Sequence, residues 1–433
     1  MVLMGAPVAA ALPNGQQGTQ ISGLNAAQLF VAAERLLAEG QAADAARLLE
    51  ALAGDLDLQV RNEARFRLAR LREKEARRTD AAVLLRRILD EEPGAARVRL
   101  ELARLLVLAG DEQGARQQLR QAQSAGLPAD LSRVVDQFRT ALRSRAPYGA
   151  TFEIALAPDS NVNRATARQM LDAGPFPLEL SEDARERSGI GIAMNGQAFA
   201  RLPIATNLQI LPRLGGTARL YRESRFNDVG IDAKVGIERS DATFGRLTLS
   251  GGQEWRWFGG TPYNRSLIVA LDWLRPTSRS AQFTFGATAA RQRYNTSRAQ
   301  DGSLYQLSGG YETAVTQRSG LSFSISGARQ GAIDRGYANW SAGVTALGYL
   351  ELGRATIFAT TTARRLEADA PFFLFNAVRR EWFARGVIGA TLRQATVKGF
   401  APVVRLVVER NLSTVGLFAY RRVAAEIGVS RAF

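Results

Sequence analysis

The sequence contains no cysteine and no histidine. Without cysteine there are no disulfides, thiolate metal ligands or cysteine nucleophiles. Without histidine, Ser–His triads and imidazole metal sites are excluded, and with them most hydrolase chemistry. Lysine is nearly missing as well: only Lys74, Lys234 and Lys398 occur, so the net charge of +15 is carried by arginine. The basic residues are dispersed and not clustered with interleaved aromatics, unlike a nucleic-acid groove. An arginine-rich composition with an arginine-lined pore and membrane-surface contacts accounts for them. Long apolar runs are also scarce. Nothing after the first dozen residues approaches the ~18 apolar residues that a spanning helix requires. A chain of this kind crosses a bilayer only as a closed β-barrel. No residue set suggests catalysis, a metal or a cofactor, and an enzyme is not expected.

The 433 residues exceed one ordinary core and imply at least two units. Met1 to Leu12 form an apolar run ending in Ala9-Ala10-Ala11, which fits a secretory cleavage site although the charged start is missing. Residues 1–24 therefore read as a residual signal peptide and a flexible N-terminus. From residue 25 to 146 the period is helical: Leu29, Ala33, Leu36 and Leu37 recur at three- and four-residue spacing. The segment also repeats. Asp44-Ala45-Ala46-Arg47 aligns with Asp80-Ala81-Ala82-Val83 and with Gln113-Gly114-Ala115-Arg116, shifts of 36 and 33 residues. That spacing is tetratricopeptide-like, with small residues admitting close helix approach.

After Ala146-Pro147 the period becomes two. In Leu321-Ser322-Phe323-Ser324-Ile325-Ser326 every second residue is apolar, and Ile231, Ala233, Val235 and Ile237 or Val404, Leu406 and Val408 repeat the pattern. Such alternation describes a wall between lipid and water. Fourteen segments begin near Thr151, Ser188, Asn207, Gly230, Phe244, Arg265, Ala281, Ser303, Gly320, Asn339, Ala355, Glu381, Gly399 and Arg422. Connections such as 239–242, 316–319 and 352–354 are short, and those on the other side tend to be longer, as outer-membrane barrels show with short turns in the periplasm. Trp255, Trp257, Trp273, Trp340 and Trp382 lie near strand ends, as girdle residues would. Phe433 closes an alternating stripe, with Arg431 interrupting it. The expected fold is a set of N-terminal α-helical tetratricopeptide-like repeats followed, over residues 147–433, by a 14-stranded antiparallel outer-membrane β-barrel. An even strand number puts the repeats in the periplasm of a Gram-negative cell.

After the first strand comes Ala157-Pro158-Asp159-Ser160-Asn161-Val162-Asn163-Arg164-Ala165-Thr166, and the last hairpin runs from Gly399-Phe400-Ala401-Pro402 through Glu409-Arg410-Asn411-Leu412-Ser413 to Tyr420-Arg421-Arg422. Both stretches resemble the surface lipoprotein assembly modulators (Slam). The resemblance implies an outer-membrane translocator that delivers surface lipoproteins, or related secreted proteins, from periplasm to cell surface. It implies as partners a client protein and a periplasmic chaperone; the terminal aromatic Phe433 resembles the signal read by the barrel-assembly machinery. No Walker-type motif is present, so transport is not expected to use nucleotide. A polysaccharide-export channel and a general porin remain the alternatives. The matching segments flank the seam where the first and last strands must meet. Pro158, Asp159, Ser160, Asn161, Asn163, Asn411 and Ser413 are therefore candidates for a lateral gate, with an ordinary loop cap as the competing reading. Phe372, Phe373 and Phe375, apolar in a predicted extracellular loop, either contact an emerging client or pack inward. Asp272, Arg385, Arg405 and Glu409 are expected to offset one another across the lumen.

Overall fold

The computed structural model describes residues 25–109, 111–124, 148–173, 176–241, 244–278, 280–372, 375–397 and 400–432. The signal-like segment Met1 to Leu12, Phe373 and Phe433 lie outside them. The chain divides into two compact units, Met1–Arg67 and Leu68–Phe433.

The first unit holds α1 (Ala26–Ala38) and α2 (Ala42–Leu52), and α3 (Leu58–Lys74) begins in it. Asn25 caps α1 with a reciprocal Asn25–Gln28 capping box, which satisfies two orphan donors of the first turn. Ala45, Ala46, Leu49 and Leu52 form the buried face of α2. In the second unit, α4 (Arg78–Glu91), α5 (Ala96–Leu108) and α6 (Glu112–Ser124) continue the helical series. The small residues aligned by the repeat are buried in both units, with Ala45 and Ala81 at 0% exposure and Ala115 at 1%.

The rest of the second unit is a closed antiparallel barrel. Its strands are β1 (Tyr148–Asp159), β4 (Gly189–Ala200), β6 (Leu208–Tyr221), β7 (Asp228–Asp241), β8 (Gly245–Phe258), β9 (Thr261–Pro276) and β10 (Ala281–Tyr294), then β11 (Gly302–Ala314), β12 (Ser319–Gln330), β13 (Asn339–Leu352), β14 (Ala355–Pro371), β15 (Val378–Thr391), β16 (Ala401–Ser413) and β17 (Tyr420–Ala432). Each pairs with its neighbours in sequence, and β1 pairs with β17 to close a ring of fourteen. A hairpin of β2 (Met170–Ala173) and β3 (Phe176–Glu179) sits in the first long loop, and a short β5 (Leu202–Ala205) lies against β6. The anticipated strand starts fall within four residues of the observed ones, the largest offset being Arg265 against Thr261.

Alternation puts one face outward. Leu321, Phe323 and Ile325 are each more than half exposed (56, 53 and 55%), whereas Ser322 and Ser324 between them turn to the lumen and are half-buried. An apolar belt of this kind is stable only in lipid. No helix among the described residues is long and apolar enough to cross a membrane; the strands make the crossing. Trp255, Trp257, Trp340 and Trp382 sit near the long-loop end, while Trp273 stacks on Phe244 at 5.3 Å at the short-turn end. Arg431, which interrupts the last outward stripe, lies over the Phe400 ring at 5.1 Å.

Among the described residues, connections on both sides depart from the expected asymmetry. Gly259 and Gly260 make a two-residue turn on the long-loop side, both with positive φ (59° and 79°), the geometry of a tight hairpin that glycine adopts without steric cost. On the opposite side, β15 and β16 are joined by a longer segment that includes a 3-10 turn at Arg393–Ala395.

The facing assignment makes a direct prediction. Ile325→Arg, outward at mid-strand, should destabilise the barrel by about 2–4 kcal/mol, whereas Ser324→Arg, facing water, should cost far less. Thermal unfolding followed by the gel-mobility shift of the folded barrel measures both.

Candidate functional site

The ring closes least completely between β1 and β17. Among the described residues this ladder has seven paired positions. There are nine between β4 and β6 and eleven to fourteen in the other barrel ladders. The register runs from Thr151↔Ala432 to Leu156↔Ile427, lapses, and resumes at Asp159↔Ala424. The cause is Pro158. Ser160 N donates to Val423 O at 2.9 Å, and antiparallel hydrogen-bonded pairs recur every second residue. The next such donor toward the short-turn end would be the amide of residue 158, which proline lacks. Below the gap the strands approach closely at Gly428, where an added Cβ would lie 2.0 Å from Ile154 O.

Side chains clasp the seam where the ladder lapses. Arg422, on the inward face of β17, donates from Nε to both carboxylate oxygens of Asp159 at 3.0 and 2.8 Å, and the two side chains are 3% and 1% exposed. Arg422 Nη1 also donates to Glu409 at 2.9 Å. Glu409 in turn meets Arg164 Nε at 3.2 Å and Arg385 Nε at 3.4 Å. Val423 N donates to Ser160 Oγ at 2.9 Å. Asn161, fully buried, donates to Arg421 O at 3.0 Å and to Ala165 O at 2.8 Å, and Asp159 Oδ1 accepts from Asn161 N at 3.0 Å. Asn163 folds the loop back by donating to Arg185 O and accepting from Arg187 N. The turn holds Arg164 at φ 49°, a left-handed conformation unusual for an arginine. Lower in the lumen, Arg405 bridges Glu153 on β1 and Glu426 on β17.

The candidates thus divide. Pro158, Asp159, Ser160 and Asn161 meet at the seam, and Asn163 shapes the loop above it. Asn411, which donates to Phe418 O at 2.7 Å, and Ser413, whose Oγ accepts from Val415 N at 3.2 Å, shape the β16–β17 connection instead. Arg385, Arg405 and Glu409 belong to the luminal charge network, while Asp272 lies on β9, across the ring from the seam. Arg422, Arg164, Glu153 and Glu426 were missed. The available signal was their spacing: Arg422 and Glu426 alternate with the apolar residues of the last strand.

Phe372 and Phe375 are each 8% exposed and pack with Leu171, Leu180 and Val415. Phe372 meets Tyr337 and Phe418 edge-on, at 5.1 and 5.0 Å. Both side chains are folded into this cluster of loop residues. Because Leu171 belongs to the loop after β1 and Val415 to the loop before β17, the cluster is a second, apolar clasp across the seam.

At the short-turn end, Glu351 gathers a polar cluster. The amides of Gln117, Gln118 and Gln121 on α6 donate to Glu351 Oε1 at 3.2–3.4 Å. Arg393 and Arg99 approach its other oxygen at 3.6 and 3.9 Å. Arg99 is 1% exposed and donates to Gln118, Gln121 and Gln317 O at 2.8, 2.9 and 2.6 Å. Burial lowers its pKa from the ordinary arginine value, and Glu351 acts to raise it.

A tetratricopeptide repeat profile matches residues 73–131, and a surface lipoprotein assembly modifier profile matches residues 150–433. Surface lipoprotein assembly modifier 1 of Haemophilus influenzae is 23% identical over 239 residues, 53% of this chain and 48% of that protein. The chain therefore spans about half the length of that relative. The crystal structure of the outer membrane channel DcaP of Acinetobacter baumannii aligns with 67% of this chain and 99% of its own at 8% identity, with a TM-score of 0.38. Outer-membrane expressed OmpT of Vibrio cholerae aligns over the same shares at 8% identity and a TM-score of 0.34.

Arg422→Ala would leave Asp159 buried without its guanidinium, and Glu409 with Arg164 and Arg385 alone; such a loss costs about 3–5 kcal/mol. Arg329→Ala, which removes a more exposed partner of Asp369, should cost no more than about 1 kcal/mol. Thermal unfolding of the two variants in detergent checks the difference.

Proposed function

The chain belongs to the surface lipoprotein assembly modifier family, and we propose that it is a translocator that passes surface lipoproteins, or related secreted proteins, from periplasm to cell surface. Its barrel resides in the outer membrane, with the apolar belt in lipid. In this reading the short turns and the tetratricopeptide repeats face the periplasm, where the repeats engage the client or a chaperone that delivers it. The barrel-assembly machinery would insert the chain itself.

The observation that carries the proposal is the β1–β17 seam. Its backbone ladder lapses at Pro158 and is completed by side chains. Separating such a seam exposes charged and polar groups to a wet lumen, where water can replace their partners. A lipid-anchored client needs this kind of opening, because its acyl chains must stay in hydrocarbon while its polypeptide crosses through water. Charge pairing supports a protein client over an anionic polysaccharide. At the seam Arg405 and Arg422 are neutralised by Glu153, Glu426, Asp159 and Glu409 and offer no continuous cationic strip. With no nucleotide-binding motif in the chain, folding of the client outside the cell would supply the bias.

Co-expression with candidate lipoproteins in a laboratory Gram-negative host tests the function: the client should become sensitive to external protease only when this chain is present. The gate is tested by a disulfide between Leu156→Cys and Ile427→Cys, paired across the seam, with Leu249→Cys and Leu271→Cys on β8 and β9 as the control. Oxidation at the seam should abolish display and reduction restore it, with no effect at the control pair. Undiminished display through an oxidised seam would sink lateral opening.

A further inference from the structure

The cluster around Glu351 has a position that the translocator reading does not use. Glu351 and Glu312 occupy lumen-facing positions at the short-turn ends of β13 and β11; their sequence neighbours Leu350, Leu352 and Tyr311 are 41, 48 and 47% exposed on the outer face. From α6, Gln117, Gln118 and Gln121 meet Glu351, and Arg120 meets Glu312. Helix α6 therefore lies against the inner side of the wall, within the rim of the barrel mouth. Helix α4 joins from the side. Its Asp90 accepts from Arg393 Nη2 at 3.2 Å through the carboxylate and from Arg318 Nη2 at 2.8 Å through the carbonyl. Together these contacts reach the β11–β12, β13–β14 and β15–β16 turns.

We infer that the α4–α6 segment is a releasable gate over the short-turn mouth of the barrel, latched by Glu351. The chemistry of the latch suits release. Fixing a helical spacer permanently would be served as well by apolar packing, since replacing buried ion pairs by well-packed apolar groups is often neutral or stabilising. Here the contact is a carboxylate shared among three amides and two guanidinium groups. When the helices move away, water can take the place of each partner at Glu351. The occupant that competes for the latch is a protein chain in the periplasm, and this inference rests on the translocator reading to that extent. Closure itself does not, and it can be measured without any client.

The test uses the full chain, which has no native cysteine. Ser324→Cys places one thiol on the luminal face of β12, opposite Thr345 of β13. Its rate of labelling by a polyethylene-glycol maleimide of about 5 kDa, too bulky to pass a closed mouth, is measured in detergent with the latch intact and broken. Glu351→Ala should raise the rate at least tenfold. Arg120→Glu, which sets like charges against each other at Glu312 and leaves every barrel residue unchanged, should do the same if Glu351→Ala fails to fold. Labelling of a folded latch variant at the parent rate would overturn the gate. A variant that labels fast in a chain that displays no client would leave the gate standing and count against translocation.

Discussion

An unpaired backbone amide in hydrocarbon costs several kcal/mol, and a sheet in a bilayer avoids that cost by joining its first strand to its last. The first long loop and the last strand of this molecule are arranged around that junction. Pro158 removes a donor from the closing ladder, and the chain compensates with Asp159, Ser160 and Asn161 reaching to Arg422, Val423 and Arg421. The loop cluster of Leu171, Phe372, Phe375 and Val415 closes the same seam from above. A general pore has no need to break its own closure and then mend it with side chains.

Polar and backbone closures differ in how they open. A full ladder separates only if many amides lose partners at once, which makes it stable and also unswitchable. A carboxylate–guanidinium pair costs nearly as much to bury as it returns, so a modest competing interaction can tip it. The Asp159–Arg422–Glu409 network at one end of the lumen and the Glu351 cluster at the other are both of this kind. A client that must enter at one end and leave sideways would meet both.

The strands were legible because each has a lipid face and a water face, and period-two alternation is the direct imprint of that boundary; the observed starts lie within four residues of those read from the pattern. The repeats were legible from Ala46, Ala82 and Ala115, small residues whose burial at 4, 6 and 1% follows from close helix approach. That the first and last strands pair follows from closure of the ring. What the pattern does not carry is pairing between distant residues. Asp159 and Arg422 are 263 positions apart, and alternation says that each faces inward without saying which inward residue it meets. Glu351 was invisible for the same reason, since its partners lie on a helix more than 200 residues away. The β2–β3 hairpin is too short, four residues a strand, to show a period. Phe372 and Phe375 carry the same apolar signature whether they cover a loop core or wait for a client.

Hydrogen–deuterium exchange along β17 tests the central claim, that the seam is the barrel's weak closure. The amides of Ala425, Ile427 and Val429, which point toward β1, should exchange faster than those of Leu249 to Gln253 at the middle of β8, whose ladders on both sides are continuous. Equal, full protection of both segments would mean that the lapse at Pro158 does not weaken the ring, and the account of a gated seam would fail with it.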